Sequence, residues 1–289
     1  MQLVNERLCI DIADPGTAYY GARFDWTGFI TQVTLDRKHT FCVPESLKCG
    51  EGSGGIGLCN EFGMFNPIGY DDAKQGDQFP KLGIGLLTRT DESYIFSHNY
   101  LIEPFPFEII RGADYVKFVV MPIECRGYAA KYEKTITINE NCLEMHYSIE
   151  NVGRRPIITS EYCHNFIGID NFLFGSDYKL SVPYLIKPDV FPDILKVIDG
   201  TVEWLETPKG AYTFRLEGHC RTHLHQWELI HMPGLVGIRN ISKFPVSMFA
   251  FWGTTHAISP EVFIDVCVEP GKTQEWTRQY EFFYKKQKC

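Results

Sequence analysis

The stretch YEKTITINENCLEMHYSIE, running from Tyr132 to Glu150, decides the fold class. In its second half Leu143, Met145, Tyr147 and Ile149 alternate with Glu144, His146, Ser148 and Glu150, the period of two that a half-buried strand requires. Its first half, Tyr132 to Ile138, is β-branched and also alternates, and Asn139-Glu140-Asn141 supplies turn chemistry between the two. The segment therefore reads as an antiparallel hairpin. The same signals recur at Tyr115 to Val120, Ile157 to Tyr162, Tyr212 to Leu216, Leu235 to Ile241, Val246 to Trp252 and Thr273 to Tyr284, separated by Gly, Pro, Asn or Asp. Helical periodicity is almost absent. Many short strands with turns between them predict an all-β chain, a large antiparallel β-sandwich. Ser53 to Gly85 is the main irregular stretch. It is Gly-rich, and Phe62, Phe65, Tyr70 and Phe79 mark it as a packed, functional loop. No repeat, low-complexity tract or linker interrupts the pattern, so one domain is expected over residues 1–289.

Composition agrees with a globular chain able to bury a large core: 289 residues, 44% hydrophobic, 14% aromatic and 22% charged. A formal net charge of -8 and a pI near 5.6 argue against nucleic acid, whose phosphates need a basic face. The short basic cluster Lys285-Lys286-Gln287-Lys288 reads as a solvated end. The residues after Met1 carry no basic-then-apolar pattern of a secretory signal, and no window is apolar enough to span a bilayer. A cytoplasmic protein without membrane partners, a monomer or homodimer, is expected. The ten cysteines are dispersed with no CxxC pair and are expected as free thiols. His223 and His225 would share a strand face, but without a partner motif no metal is expected.

The sequence lacks GxSxG, P-loop, HExxH and dinucleotide-binding patterns, and no helix follows Gly52-Ser53-Gly54-Gly55 to hold a phosphate. Two segments stand out instead. Thr159 to Asp170 starts as a strand and carries Glu161, His164 and Asp170 among aromatic residues, where any inward polar group needs a partner or a function. In the second, the apolar run Phe249-Ala250-Phe251-Trp252 leads through Gly253 and His256 to Ser259-Pro260-Glu261-Val262-Phe263. A Glu set between apolar residues has either a raised pKa or a dedicated partner, the setting of a general base.

At these segments the chain resembles the aldose 1-epimerase, or galactose mutarotase-like, family. Tyr162-Cys163-His164-Asn165-Phe166 is similar to the family's general-acid His segment, and Ser259-Pro260-Glu261-Val262-Phe263 to its general-base Glu segment. Glu269-Pro270-Gly271-Lys272 and the following Trp276 to Phe282 resemble its closing turn and last strand, and Tyr19 to Ile30 its opening strands. The resemblance implies a galactose mutarotase-like supersandwich and a cofactor-independent isomerase of carbohydrate metabolism. It would interconvert the anomers of a monosaccharide or sugar derivative, with Glu261 as base and His164 as acid on opposite sides of one sugar ring. The family's Leu-His-Gly-Gly segment has no counterpart. Phe79 to Gly85 stands in its place and puts Lys81 where an imidazole would be, so that Lys81, Glu161, Asp170 and His256 are the expected holders of sugar hydroxyls, with Trp204, Trp227 or Trp252 as a stacking platform. Glu228, His231 and the Asp71-Asp72 pair read as surface groups of strands and turns. Two alternatives remain. In a noncatalytic carbohydrate-binding protein His164 and Glu261 would lie too far apart to share a ring, and a hexose-phosphate epimerase would gather cations such as Lys81 and Arg89 at the cleft.

Overall fold

A computed structural model describes residues 1–182, 187–188, 192–198, 200–217 and 224–284. Two large antiparallel sheets dominate it. The first runs in the order Gln2–Val4, Leu8–Ala13, Phe29–Leu35, Gly57–Phe62, Ile157–Phe166, Ile258–Val268, Met248–Gly253, Tyr212–Glu217 and Lys187–Pro188. The second is centred on Val236–Pro245, Thr273–Tyr284, Cys142–Asn151 and Ala130–Asn139. The deciding hairpin forms as expected: Asn139 pairs with Cys142, and Glu140 turns the chain with a φ of 51°. Its apolar face packs inward through Ile136, Ile138, Leu143 and Met145, all buried.

Ser53 to Gly85 is more regular than its composition suggests. It contains the sheet-forming strand Gly57–Phe62 and then Gln78–Lys81, which joins Gly85–Thr88 and Ile102–Pro104 in a small third sheet. Glycine content misled the reading here, because Gly57 and Gly83 serve close approaches at positive φ (61° and 76°) rather than a long loop. A Cβ on Gly83 would fall 2.1 Å from Asp25 Oδ1. The third sheet and residues around Tyr19 to Phe29 cover the outer face of the first sheet, forming a second apolar core of Tyr19, Phe24, Phe29, Phe79, Ile84 and Phe166. The first sheet is thus buried on both faces near its middle.

Strand alternation then sends neighbours into different cores. On Ile157–Phe166, Glu161 and Asn165 face the second sheet: Arg278 donates to Glu161 at 2.6 and 3.2 Å, and Tyr280 Oη donates to Asn165 at 2.8 Å. Trp276 Nε1 and Asn60 Nδ2 also donate to Glu161. Lys134, on the apolar face of the hairpin, is completely buried, donating to Asn60 Oδ1 at 2.7 Å and Thr27 O at 2.8 Å with Asp25 3.5 Å away. Desolvated charges of this kind are tolerated only when fully partnered.

Arg278→Met is expected to lower stability by about 3–5 kcal/mol, because it strands the Glu161 carboxylate in the core. Glu161→Leu/Arg278→Met should recover part of that loss, short of wild type because Asn60 and Trp276 lose their acceptor. Urea unfolding measures both, and a single variant as stable as wild type would contradict the role given to the pair.

Candidate active site

Register builds the site. Tyr162 pairs with Phe263 between the strands Ile157–Phe166 and Ile258–Val268, and two residues further along each strand His164 stands opposite Glu261. Opposed residues of an antiparallel pair share a face, here the outer one. The side chains touch: His164 Nε2 lies 3.1 Å from Glu261 Oε1. The regular ladder ends at this point because Pro260 has no N–H to offer. Asn165 replaces the missing bonds, its amide donating to Pro260 O at 2.6 Å and its N–H to Ser259 Oγ at 2.9 Å.

Further strands extend the same face. Glu261 pairs with Ala250 and Ala250 with Arg215, while Phe263 pairs with Met248 and Trp252 with Thr213. These residues line a cavity of about 870 Å³. Arg23, Ser53, Phe65 and Phe96, from the cap and the loops near it, close its other sides. His164 is held by rings: it stacks on Phe166 at 3.8 Å and 14°, with Trp252 edge-on at 5.3 Å. Its Nδ1 is buried without a hydrogen-bond partner.

Burial governs the charges. Desolvation raises the Glu261 carboxyl to about 8, against the opposing charge of Arg23 and a hydrogen bond from Ser259. Desolvation, helped by Arg23, pushes the His164 imidazole well below its usual range. At neutral pH the pair therefore rests as a carboxylic acid beside a neutral imidazole, with one proton shared between two groups. Arg23 is itself committed. Its Nε donates to Glu61 at 2.9 Å, its two Nη atoms to Ser53 Oγ at 2.8 Å and Tyr162 Oη at 3.0 Å, and its guanidinium lies 4.5 Å from the centroids of Phe24 and Phe96.

Of the residues expected from the sequence, His164, Glu261 and Trp252 meet at the cavity. The expected acid and base stand side by side, not on opposite sides of a sugar-sized gap, because adjacent strands set opposed residues only a few ångströms apart. The four expected hydroxyl holders do not line the cavity. Lys81 is buried behind Glu61, 3.7 Å from its carboxylate and bonded to Tyr94 Oη, and burial lowers its ammonium to about 8. Glu161 points into the inter-sheet core. Asp170 accepts from Thr40 N and pairs with His39 at 2.7 Å. His256 binds Pro44 O through Nε2 at 2.9 Å. Trp204 and Trp227 are core residues, Glu228 pairs with Arg239, and His231 stacks on Phe172. Arg89 donates to the carbonyls of Tyr70, Ala73 and Asp91, and Asp72 pairs with Arg155 at the rim of a separate depression that Asp71 also lines. The eight cysteines among the described residues are free thiols. His219, His223 and Lys285 to Lys288 lie outside the described residues, and only the backbone of His225 is described. No helix among the described residues is long and apolar enough to cross a membrane.

Sequence reading named Phe65 within a packed, functional stretch but missed Arg23, Glu61 and Tyr162. Only one signal was available for any of them: Tyr162 has the same strand parity as His164 and so shares its face.

No family model matches the sequence, and no curated protein matches it. Solved structures do. A galactose mutarotase related enzyme from Lactobacillus acidophilus aligns over 100% of this chain and 99% of its own, with a TM-score of 0.63 at 12% identity. The chain has the galactose mutarotase-like fold. A putative aldose 1-epimerase from Escherichia coli K12 shares it over 98% of each chain (TM-score 0.63, 11% identity), as does a galactose mutarotase-like protein from Lactobacillus casei over 98% of this chain and 99% of its own (TM-score 0.60, 13% identity).

Because ionised Glu261 is disfavoured in the folded chain, its contribution to stability is complete below the ordinary carboxyl value of 4.5 and is lost as the pH rises through about 8. Glu261→Gln removes this dependence. Its thermal midpoint should gain on wild type across that range in scanning calorimetry, and a constant gap would contradict the raised carboxyl.

Proposed function

We propose that the protein is an aldose 1-epimerase-type isomerase that interconverts sugar anomers by opening and reclosing the ring. The observation that carries this reading is the contact between His164 and Glu261 on the wall of an aromatic cavity. Ring opening must remove the proton of the anomeric hydroxyl O1 and add one to the ring oxygen O5. Both oxygens are bonded to the same carbon, so an adjacent base and acid suit them better than groups facing each other across the ring.

Sugar hydroxyls entering the cavity solvate the pair and move its shared proton from Glu261 to His164 Nε2. Glu261 then accepts the O1 proton as His164 delivers its own to O5, and the C1–O5 bond breaks to leave an open-chain aldehyde. The pair is back in its neutral form, which suits a dry site. Rotation about C1–C2 presents the other face of the aldehyde. Reversal of the two transfers closes the ring as the other anomer, with no net gain or loss of protons. Arg23, held by Glu61, Ser53 and Tyr162, keeps a cation beside the pair that favours the carboxylate when the proton moves. His164, stacked on Phe166 with Trp252 edge-on, keeps its ring orientation throughout. The contact distance favours catalysis over simple binding.

Anomer equilibration followed by polarimetry or proton NMR across freshly dissolved aldoses tests the proposal. Glu261→Gln and His164→Asn should each lose at least about a hundredfold in rate with folding intact, and wild type no faster than buffer on any sugar would refute it. The kcat/KM profile should be bell-shaped. Its alkaline limb should fall through about pH 8 as Glu261 gives up the shared proton, and its acid limb should lie well below 6.5, where His164 takes a second.

A further inference from the structure

We infer that the cavity is the reducing-end part of a longer groove, and that its substrate is a disaccharide or longer oligosaccharide epimerised at its free anomeric carbon. This rests on the epimerase reading, because the acid–base pair fixes where C1 sits. The outer face of the first sheet does not end at the cavity. A second depression of about 410 Å³ shares Phe65, Arg215, Met248 and Phe263 with it and adds Ser160, Ser247 and Asp265. Ser160 and Asp265 are opposed partners on the same two strands that carry His164 and Glu261, four residues further along each. At strand rise that is about 13 Å of continuous floor.

The size and chemistry of this floor suit linked sugars. The cavity alone, at about 870 Å³, lies near the top of the 300–1,000 Å³ range that serves drug-sized ligands, well beyond the need of one pyranose ring. Where the two depressions join, the Phe65 ring is 56% exposed, 6.3 Å from Phe263 with the Arg215 guanidinium 5.7 Å from its centroid. A large aromatic left in the open at the centre of a groove offers the apolar surface on which the C–H face of a sugar stacks. Beyond it, Ser160 and Ser247 bring hydroxyls and Asp265 a carboxylate, side-chain types that pair with sugar hydroxyls. The reaction adds a constraint of its own. O1 must be free and must face His164 and Glu261, so any further glycosyl unit is attached through another carbon and can leave along this floor.

Proton NMR of anomer equilibration would compare glucose and galactose with maltose, cellobiose and lactose, for wild type, Phe65→Ala and Phe65→Trp. For at least one disaccharide, kcat/KM should exceed that of its own reducing-end monosaccharide by about tenfold or more, the equivalent of one stacked ring. Phe65→Ala should collapse that ratio towards one, and Phe65→Trp should keep it. Saturation-transfer NMR should show protein contact with both rings. If monosaccharides turn over with ratios at or below one for all three disaccharides, the groove inference fails and the epimerase reading stands. If no sugar is epimerised but both rings of a disaccharide make contact, the epimerase reading fails and takes with it the placement of the reducing end, leaving only a groove that binds linked sugars. Absence of both signals overturns the two together.

Discussion

One constraint organises this molecule: from Glu161 to Phe166 the strand Ile157–Phe166 is buried on both faces, and each side chain there must satisfy one of two different surroundings. Glu161 meets Arg278 from the second sheet, and Asn165 meets Tyr280. Tyr162 and His164 point the other way, towards the cap and the cavity. A slip of one residue would drive Glu161 into the cap and His164 into the inter-sheet core, leaving both cores with unpartnered polar groups. The buried ion pair therefore does more for register than its net stabilisation suggests, and the register is what sets His164 opposite Glu261.

The same burial that makes the pairings strict sets the charge state of His164 and Glu261. Desolvation pushes each of these titratable groups towards its neutral form, so the pair settles on a single proton between them. Arg23 could upset this balance by drawing the proton off Glu261. Glu61 and Tyr162 hold the guanidinium and take up much of its field, so that the cation offsets the burial of Glu261 without overturning it. Behind Glu61, Lys81 completes a buried chain of alternating charge that runs from the cavity into the cap.

The fold was legible to the extent that burial alternates locally. The hairpin at Tyr132 to Glu150, the strand Thr273–Tyr284 and the start of the segment carrying His164 read correctly because each declares its own period, whereas Glu261, expected just beyond a strand, lies within Ile258–Val268, a strand hidden by Pro260 and by burial that does not alternate. Lys134 was a visible anomaly, a charge on the apolar phase between Tyr132 and Ile136, and it marks the buried cluster with Asp25 and Asn60. Parity could also have divided the candidates: Glu161 and His164 are three apart on one strand and cannot share a face. The strand Gly57–Phe62 was hidden by its glycines. The true partners of Lys81, Asp170 and His256 come from Glu61, His39 and Pro44, none of them a neighbour in sequence.

By itself the sequence determined an antiparallel β architecture and the chemical types available to it, because alternation and turn propensity are local and survive without knowledge of any contact. The tertiary structure alone decided which strands lie side by side and in what register. On that depended the 3.1 Å contact of His164 with Glu261, the commitment of Lys81 and Glu161 to buried ion pairs, and the continuation of the cavity past Phe65 towards Asp265. The physical reason is that strand pairing is non-local: hydrogen bonds and buried charges from distant parts of the chain must be satisfied together, and no single segment records its partner.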